Sequence, residues 1–202
     1  MRKLLCLLLV AAGAAGAASD PPASELVRRL HEPAVLRGSF VQSRQIAGFK
    51  RPVESSGQFV VARGTGLLWR TTRPFESLLS VNRERLRISN GAGQPEMTLD
   101  ARREPMLRTI SSLLQSVVVA DIDALQAQFE MQIKLIGQTD WTLSLRPREA
   151  QLKDRFPAIE LSGGAHVESV VLREQSGDVT TIRFSGQAEG AALTGAEAAQ
   201  LQ

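Results

Sequence analysis

The chain of 202 residues has no tyrosine, two tryptophans, two histidines and a single cysteine. Each shortage excludes something. With aromatics at 4% there is no platform on which nucleic-acid bases could stack. Cys6 is alone, so no disulfide can staple the fold, and stability must come from an ordinary core. Histidine, the commonest general base, is nearly missing; His31 and His166 read as surface or edge residues. No G-x-S-x-G elbow, P-loop or H-E-x-x-H occurs. The pairs Gly64/Gly66 and Gly91/Gly93 fall in turns that open no helix, which excludes a phosphate cradle. Asp121-Ile122-Asp123 reads as a helix cap rather than a metal site. The expectation is a protein without enzymatic activity, cofactor or metal.

Long hydrophobic runs are also missing, with one short exception at the start. MRKLLCLLLVAAGAAGAASD has two cations, an apolar stretch and then small residues. That is the layout of a secretory signal peptide, and the stretch is shorter than the roughly 20 residues of a membrane span. Residues 1–18 are expected to be the leader, cleaved after Ala18 or Ser19, and residues 19–202 one domain. Cys6 lies inside the leader, so the mature chain is expected to be unlipidated. Arg2 and Lys3 leave with it, so the net charge of +3 falls nearly to neutral. A basic balance is therefore no argument for nucleic acid. Arg83-Glu84-Arg85-Leu86-Arg87 alternates as a solvated strand face does.

What remains is patterned. Ser24–Leu30 predicts a short helix stopped by Pro33. In VLRGSFVQSRQIAG, Leu36, Gly38 and Phe40 share one face of a strand, and segments 57–63, 66–72, 77–82 and 85–89 continue as short strands. Helical spacing then takes over: Met106, Leu107, Ile110, Leu113, Leu114, Val117 and Val118 form one apolar stripe, and Asp121 can cap a second helix. Strands return from Phe129, joined across Gly163-Gly164 and Ser176-Gly177, turns that favour antiparallel hairpins. The last dozen residues read as frayed or weakly helical. The order predicts an α+β fold, a curved antiparallel sheet with a helical insertion over one open side.

L-R-G-S-F-V-Q at 36–42, G-Q-F-V-V-A-R at 57–63, L-L-W at 67–69 and R-P-F-E-S at 73–77 resemble the LolA family of periplasmic outer-membrane lipoprotein carriers. The resemblance extends over nearly all of the mature chain, and Gly64 after Arg63 and the AEAAQLQ end mark a divergent branch. It implies an incomplete antiparallel β-barrel under a helical lid, located in the periplasm. It implies a chaperone that binds the acyl chains of lipoproteins, receives them from an inner-membrane ABC transporter and passes them to a LolB-like acceptor at the outer membrane. The alternative it leaves open is a carrier for another lipid, an aryl polyene or a glycolipid, working with an inner-membrane exporter. A monomer is expected in either case.

Within this frame, Leu36, Phe40, Phe59, Val61, Leu67 and Trp69 are the expected wall of a mostly aliphatic acyl-chain cavity. Met106, Ile110, Leu113, Leu114 and Val117 are the expected lid. If Phe59, Val61 and Arg63 alternate onto one face, a cation is aimed at an apolar surface, which is costly unless its donors are satisfied. Two readings stay open. Arg63 either sits at a strand end, reaching water or an ordinary carboxylate, or hydrogen-bonds backbone carbonyls of the covering helices. The family resemblance implies the second, a gate that holds the empty cavity shut.

Overall fold

A computed structural model of the protein describes residues 21–103 and 114–202. The leader expected over residues 1–18 and the lid residues Met106, Ile110 and Leu113 lie outside the described residues. Helix α1 (Pro21–Arg29) leads into six strands: β1 (Val35–Gln45), β2 (Val53–Ala62), β3 (Gly66–Arg73), β4 (Ser77–Asn82), β5 (Arg85–Asn90) and β6 (Pro95–Asp100). Helical residues 114–119 (α2) and helix α3 (Ile122–Gln128) follow. The chain then adds β7 (Phe129–Ile136), β8 (Asp140–Pro147), a short helix α4 (Ala150–Lys153), β9 (Ala158–Gly163), β10 (Val167–Arg173), β11 (Val179–Gly190) and helix α5 (Gly195–Gln200).

The strands make one antiparallel sheet in the order β6-β5-β4-β3-β2-β1-β11-β10-β9-β8-β7. β6 and β7 each have a single neighbour, so the sheet curves without closing: an incomplete barrel rather than a complete one. β6 is the strand that sequence alone does not reveal. It opens on Pro95 and carries two acidic residues, features of a loop, and it survives because an edge strand can do without proline's missing donor.

The curvature has a local cause. Opposite residues in the β1–β2 ladder are Leu36 and Val61, Gly38 and Phe59, and Phe40 and Gly57. Each ring thus faces a glycine. A Cβ on Gly38 would lie 2.6 Å from the Phe59 ring, and one on Gly57 would lie 1.8 Å from the carbonyl oxygen of Arg70. The β1–β11 ladder shifts register at Gly38, where β11 inserts an extra residue around Gly186 at φ +59. The β2–β3 ladder shifts beside Gly57. Bulges of this kind bend and twist a sheet, and glycine tolerates them without strain.

One face of the sheet is continuously apolar. Leu36, Val61, Leu67, Val81, Leu86 and Leu99 stand opposite one another from β1 to β6. Ile182, Val170, Leu161, Leu143 and Ile133 do the same from β11 to β7. α1 adds Ala23 and Leu26 to the buried set, and Leu30 just after it continues the same spacing. Its Arg29 donates to the carbonyls of Ile136, Gly137 and Asp140 in the β7–β8 turn, at 3.4, 3.1 and 2.7 Å. α2 contributes Val117 and Val118, and α3 contributes Ile122 and Leu125. The two helices meet at Ala120, whose φ of 48 lets the Asp121 amide donate back to the Ser116 carbonyl (2.9 Å). Asp121 then caps α3, accepting from the Ala124 amide at 3.1 Å, as its sequence context predicts. No helix among the described residues is long and apolar enough to cross a membrane.

Of the two readings of the C terminus, frayed or weakly helical, the structure has the helical one, and the helix is firmly held. Thr194 and Glu197 form a capping box for α5, and Leu201 is buried. Ser80 Oγ and Asn82 Nδ2 donate to the carbonyls of Gln200 and Leu201, both at 2.6 Å, fixing the tail across β4. Arg37 donates to both Glu197 oxygens, at 2.7 and 2.6 Å. Alanine-rich composition conceals this because the clamp is made by partners more than a hundred residues away. The Arg37 guanidinium, helped by the Thr194 backbone and hydroxyl, lowers the Glu197 carboxyl from 4.5 to about 2. A lowered folded-state pKa gives stability that is full above the unfolded value and lost as pH falls through the folded one. Glu197→Gln, which can keep the capping box, is therefore expected to cost about 1–2 kcal/mol at neutral pH, given screening of a partly exposed pair. The gap between the two melting curves should stay constant above about pH 5 and narrow towards pH 2. A gap that does not change with pH over that range would show that the ion pair contributes nothing.

Candidate functional site

The residues expected to form a cavity wall lie together. Leu36 and Phe40 on β1, Phe59 and Val61 on β2, and Leu67 on β3 are all 1–2% exposed and share the apolar face, with Trp69 half-buried beside them. The wall is more aromatic than expected. Phe40 and Trp69 are stacked, with ring centroids 3.9 Å apart and planes at 26°. They are not cross-strand partners; Gly57 lies between β1 and β3 and has no side chain to separate the rings. Phe184 on β11 closes the group, edge-on to Phe59 at 5.0 Å and to Trp69 at 6.0 Å. Sequence reading missed Phe184, although TIRFSG alternates in a way that places it on the same face as Ile182. Leu114 and Val117, two of the residues expected to form a lid, belong to α2 and pack in this same apolar core.

Arg63 sits just past the end of its strand. β2 ends at Ala62, and the chain turns through Gly64 at φ +71, so Arg63 leaves the ladder just before its side chain would point at the wall. Its amide donates to the Ala34 carbonyl at 3.0 Å, and its guanidinium donates to Glu32 Oε2 at 2.9 Å. The side chain is 41% exposed. Among the described residues its side-chain partner is thus a carboxylate from the α1–β1 loop, as in the first of the two readings left open. Costly burial is avoided by a turn that begins one residue earlier than the alternation implies.

The arginine nevertheless borders an open cleft of about 500 Å³ between the sheet rim and the helices. Val61, Arg63 and Arg83 line it from the sheet side, and Gln115, Val119 and Asp121 from α2 and the α2–α3 junction. Its lining combines apolar Val61 and Val119 with charged Arg63, Arg83, Glu84 and Asp121. A second depression, of about 560 Å³, lies over β7–β10 and is lined largely by Gln132, Lys134, Thr142, Ser144 and Glu160. Ile133, Leu143, Leu161 and Val171 also border it.

A sequence profile described as outer membrane lipoprotein carrier protein LolA matches residues 33–197. No curated protein sequence matches the chain. Among solved structures, it is similar to a DUF1329 family protein from Desulfovibrio piger, with TM-score 0.51 and 10% identity, covering 91% of this chain and 100% of that one. A LolA superfamily protein from Nitrosomonas europaea gives TM-score 0.48 and 9% identity over 85% of this chain and 93% of that one. MucB gives TM-score 0.48 and 17% identity over 91% of this chain and 63% of that one. Identities this low speak to the fold alone, but the profile spans most of the sequence, from the loop before β1 into α5. Together with the open antiparallel sheet and its helices, it shows that the chain belongs to the LolA family, as a divergent member.

Proposed function

We propose that the chain is a periplasmic carrier that holds the acyl chains of lipoproteins against the apolar face of its sheet. It receives them from an inner-membrane ABC transporter and hands them to a LolB-like acceptor at the outer membrane. LolA family proteins are carriers rather than enzymes. The observation that carries the reading is the unbroken apolar row from Leu36 to Leu99, which shares one buried core with Val117 and Val118 of α2 and Ile122 and Leu125 of α3.

Magnitudes constrain how such a carrier works. Acyl burial gains about 0.8 kcal/mol per CH₂, so two or three full chains would sum to tens of kcal/mol. Non-covalent binding saturates near about −20 kcal/mol, and cargo held so tightly would not leave. Part of the gain must be offset. Here the wall residues already cover one another, so a guest must part the ring group of Phe40, Phe59, Trp69 and Phe184. Each ring contact is worth about 0.5–1.5 kcal/mol, and all of them re-form on release. Arg63, at the lip of the cleft, adds a polar latch between the rim and the loop that carries Glu32.

The reading is tested by mass spectrometry of lipids and polypeptides that co-purify with the protein from periplasm. Triacylated polypeptides are expected; a preparation no richer in lipid than a mock purification would overturn it. The latch is tested separately. Arg63→Leu is expected to load cargo and to change stability by less than about 1 kcal/mol, since half-exposed ion pairs contribute little. Its delivery to the acceptor should be slower than wild type, and delivery at the wild-type rate would eliminate the latch. The stacked Phe40 and Trp69 rings favour a second reading, a flat conjugated tail such as an aryl polyene passed on from an exporter. Free pigment or glycolipid in the same spectra would support it.

A further inference from the structure

The only two histidines of the chain meet around one carboxylate. His31 follows α1, His166 immediately precedes β10, and Glu189 lies near the end of β11, yet their ligating atoms all lie within 4.8 Å of one another. His31 Nδ1 is 2.8 Å from Glu189 Oε1, and His166 Nε2 is 3.1 Å from the same oxygen. The rings stand edge to face, 5.6 Å apart and 86° to each other, so both present a nitrogen to the carboxylate.

The backbone fixes all three positions. The His31 amide donates to the Ala165 carbonyl at 2.8 Å, which ties the α1–β1 loop to the β9–β10 turn. Glu189 stands opposite Leu36 in the β1–β11 ladder. Gln187 Nε2 donates to the Val167 carbonyl at 2.6 Å, bracing β11 against the residue after His166. His166 is largely shielded, whereas His31 and Glu189 face solvent, which leaves one side of the group open to a water or exogenous ligand.

We infer that His31, His166 and Glu189 form a binding site for a borderline divalent transition metal ion, Zn²⁺ or Cu²⁺. Two imidazoles and one carboxylate are the donors such ions favour, and the single negative charge partly neutralises a dication. Binding needs each neutral ring to turn a lone pair inward, with the proton on Nε2 of His31 and on Nδ1 of His166, and the exposed His31 and Glu189 side chains to close in until every donor is about 2 Å from the ion. The ion would then lie between His31 Nδ1, His166 Nε2 and the Glu189 carboxylate, replacing the two hydrogen bonds that now converge on Glu189 Oε1. It would also link three segments distant in sequence, the α1–β1 loop, the β9–β10 turn and β11.

The test uses the full chain without an added histidine tag, titrated calorimetrically with Zn²⁺. One ion per chain is expected, with Kd of about 10 µM or tighter, and melting should rise by about 5 °C at a hundredfold excess over Kd. Glu189→Gln, at a half-exposed position, and the double variant H31Q/H166Q should each bind at least about tenfold more weakly. With Cu²⁺, the electron paramagnetic resonance spectrum of the wild type should show coupling to two imidazole nitrogens, a readout that does not depend on how the variants fold. Failure of the wild type to bind Zn²⁺ at 100 µM would overturn the site, leaving a hydrogen-bonded trio. Unaltered affinity in the folded variants, or a copper spectrum without imidazole coupling, would overturn it equally.

Discussion

Phe40→Ala is expected to lower unfolding stability by about 3–5 kcal/mol, the usual cost of deleting a buried ring. The ring is 1% exposed and stacks on Trp69 across the gap that Gly57 leaves. Removing it takes away the transfer gain and leaves a void bounded by stiff strands that cannot collapse. For a domain of this size the melting temperature should fall by roughly 10 °C. Urea unfolding followed by tryptophan fluorescence suits the measurement, because Trp69 reports on its own stacking partner. Phe40→Leu should fall in between, retaining hydrophobic volume but not the stack. A loss below about 1 kcal/mol for Phe40→Ala would show that the ring does not belong to the packed layer.

Gly57→Ala is expected to be comparably damaging although it adds a single methyl. The new Cβ would lie 1.8 Å from the Arg70 carbonyl oxygen and 2.9 Å from the Thr71 Cα, both backbone atoms in the neighbouring strand. No side-chain rotation relieves such an overlap, so β2 and β3 must separate locally. The expected cost is at least about 3 kcal/mol, in the range where overpacking and ladder disruption combine. Gly195→Ala is the matched control. Nothing lies within 4 Å of its Cβ, and it begins a helix, so stability should hold or rise slightly. Equal melting temperatures for Gly57→Ala and the wild type would contradict the β2–β3 register.

The two glycines explain what sequence could and could not disclose. Period-two alternation in VLRGSFV and GQFVVA was enough to put Leu36, Phe40, Phe59 and Val61 on one face, because strand geometry allows no other phase once the turns are known. The turns Gly163-Gly164 and Ser176-Gly177 announced the later hairpins for the same local reason. Alternation alone cannot choose between the two readings of Arg63, because it does not show that the strand ends at Ala62 and the chain turns through Gly64. Helix α5 was underestimated because its partners, Arg37, Ser80 and Asn82, come from β1 and β4 and leave no local trace. Phe184 and the meeting of His31 with His166 belong to the same class. Each depends on a long-range register that composition and periodicity do not encode.

β1 pairs on one side with the strand that follows it and on the other with the last strand of the chain. The protein is thus two meanders, β1 to β6 and β7 to β11, zipped along a single late seam. Each half can assemble from near neighbours, whereas the seam must wait for Val179–Gly190 to be available. Until then β1 shows a bare edge beside a greasy face, the combination most prone to mispairing between chains. The last strand is therefore the step that converts two sticky halves into one protected sheet.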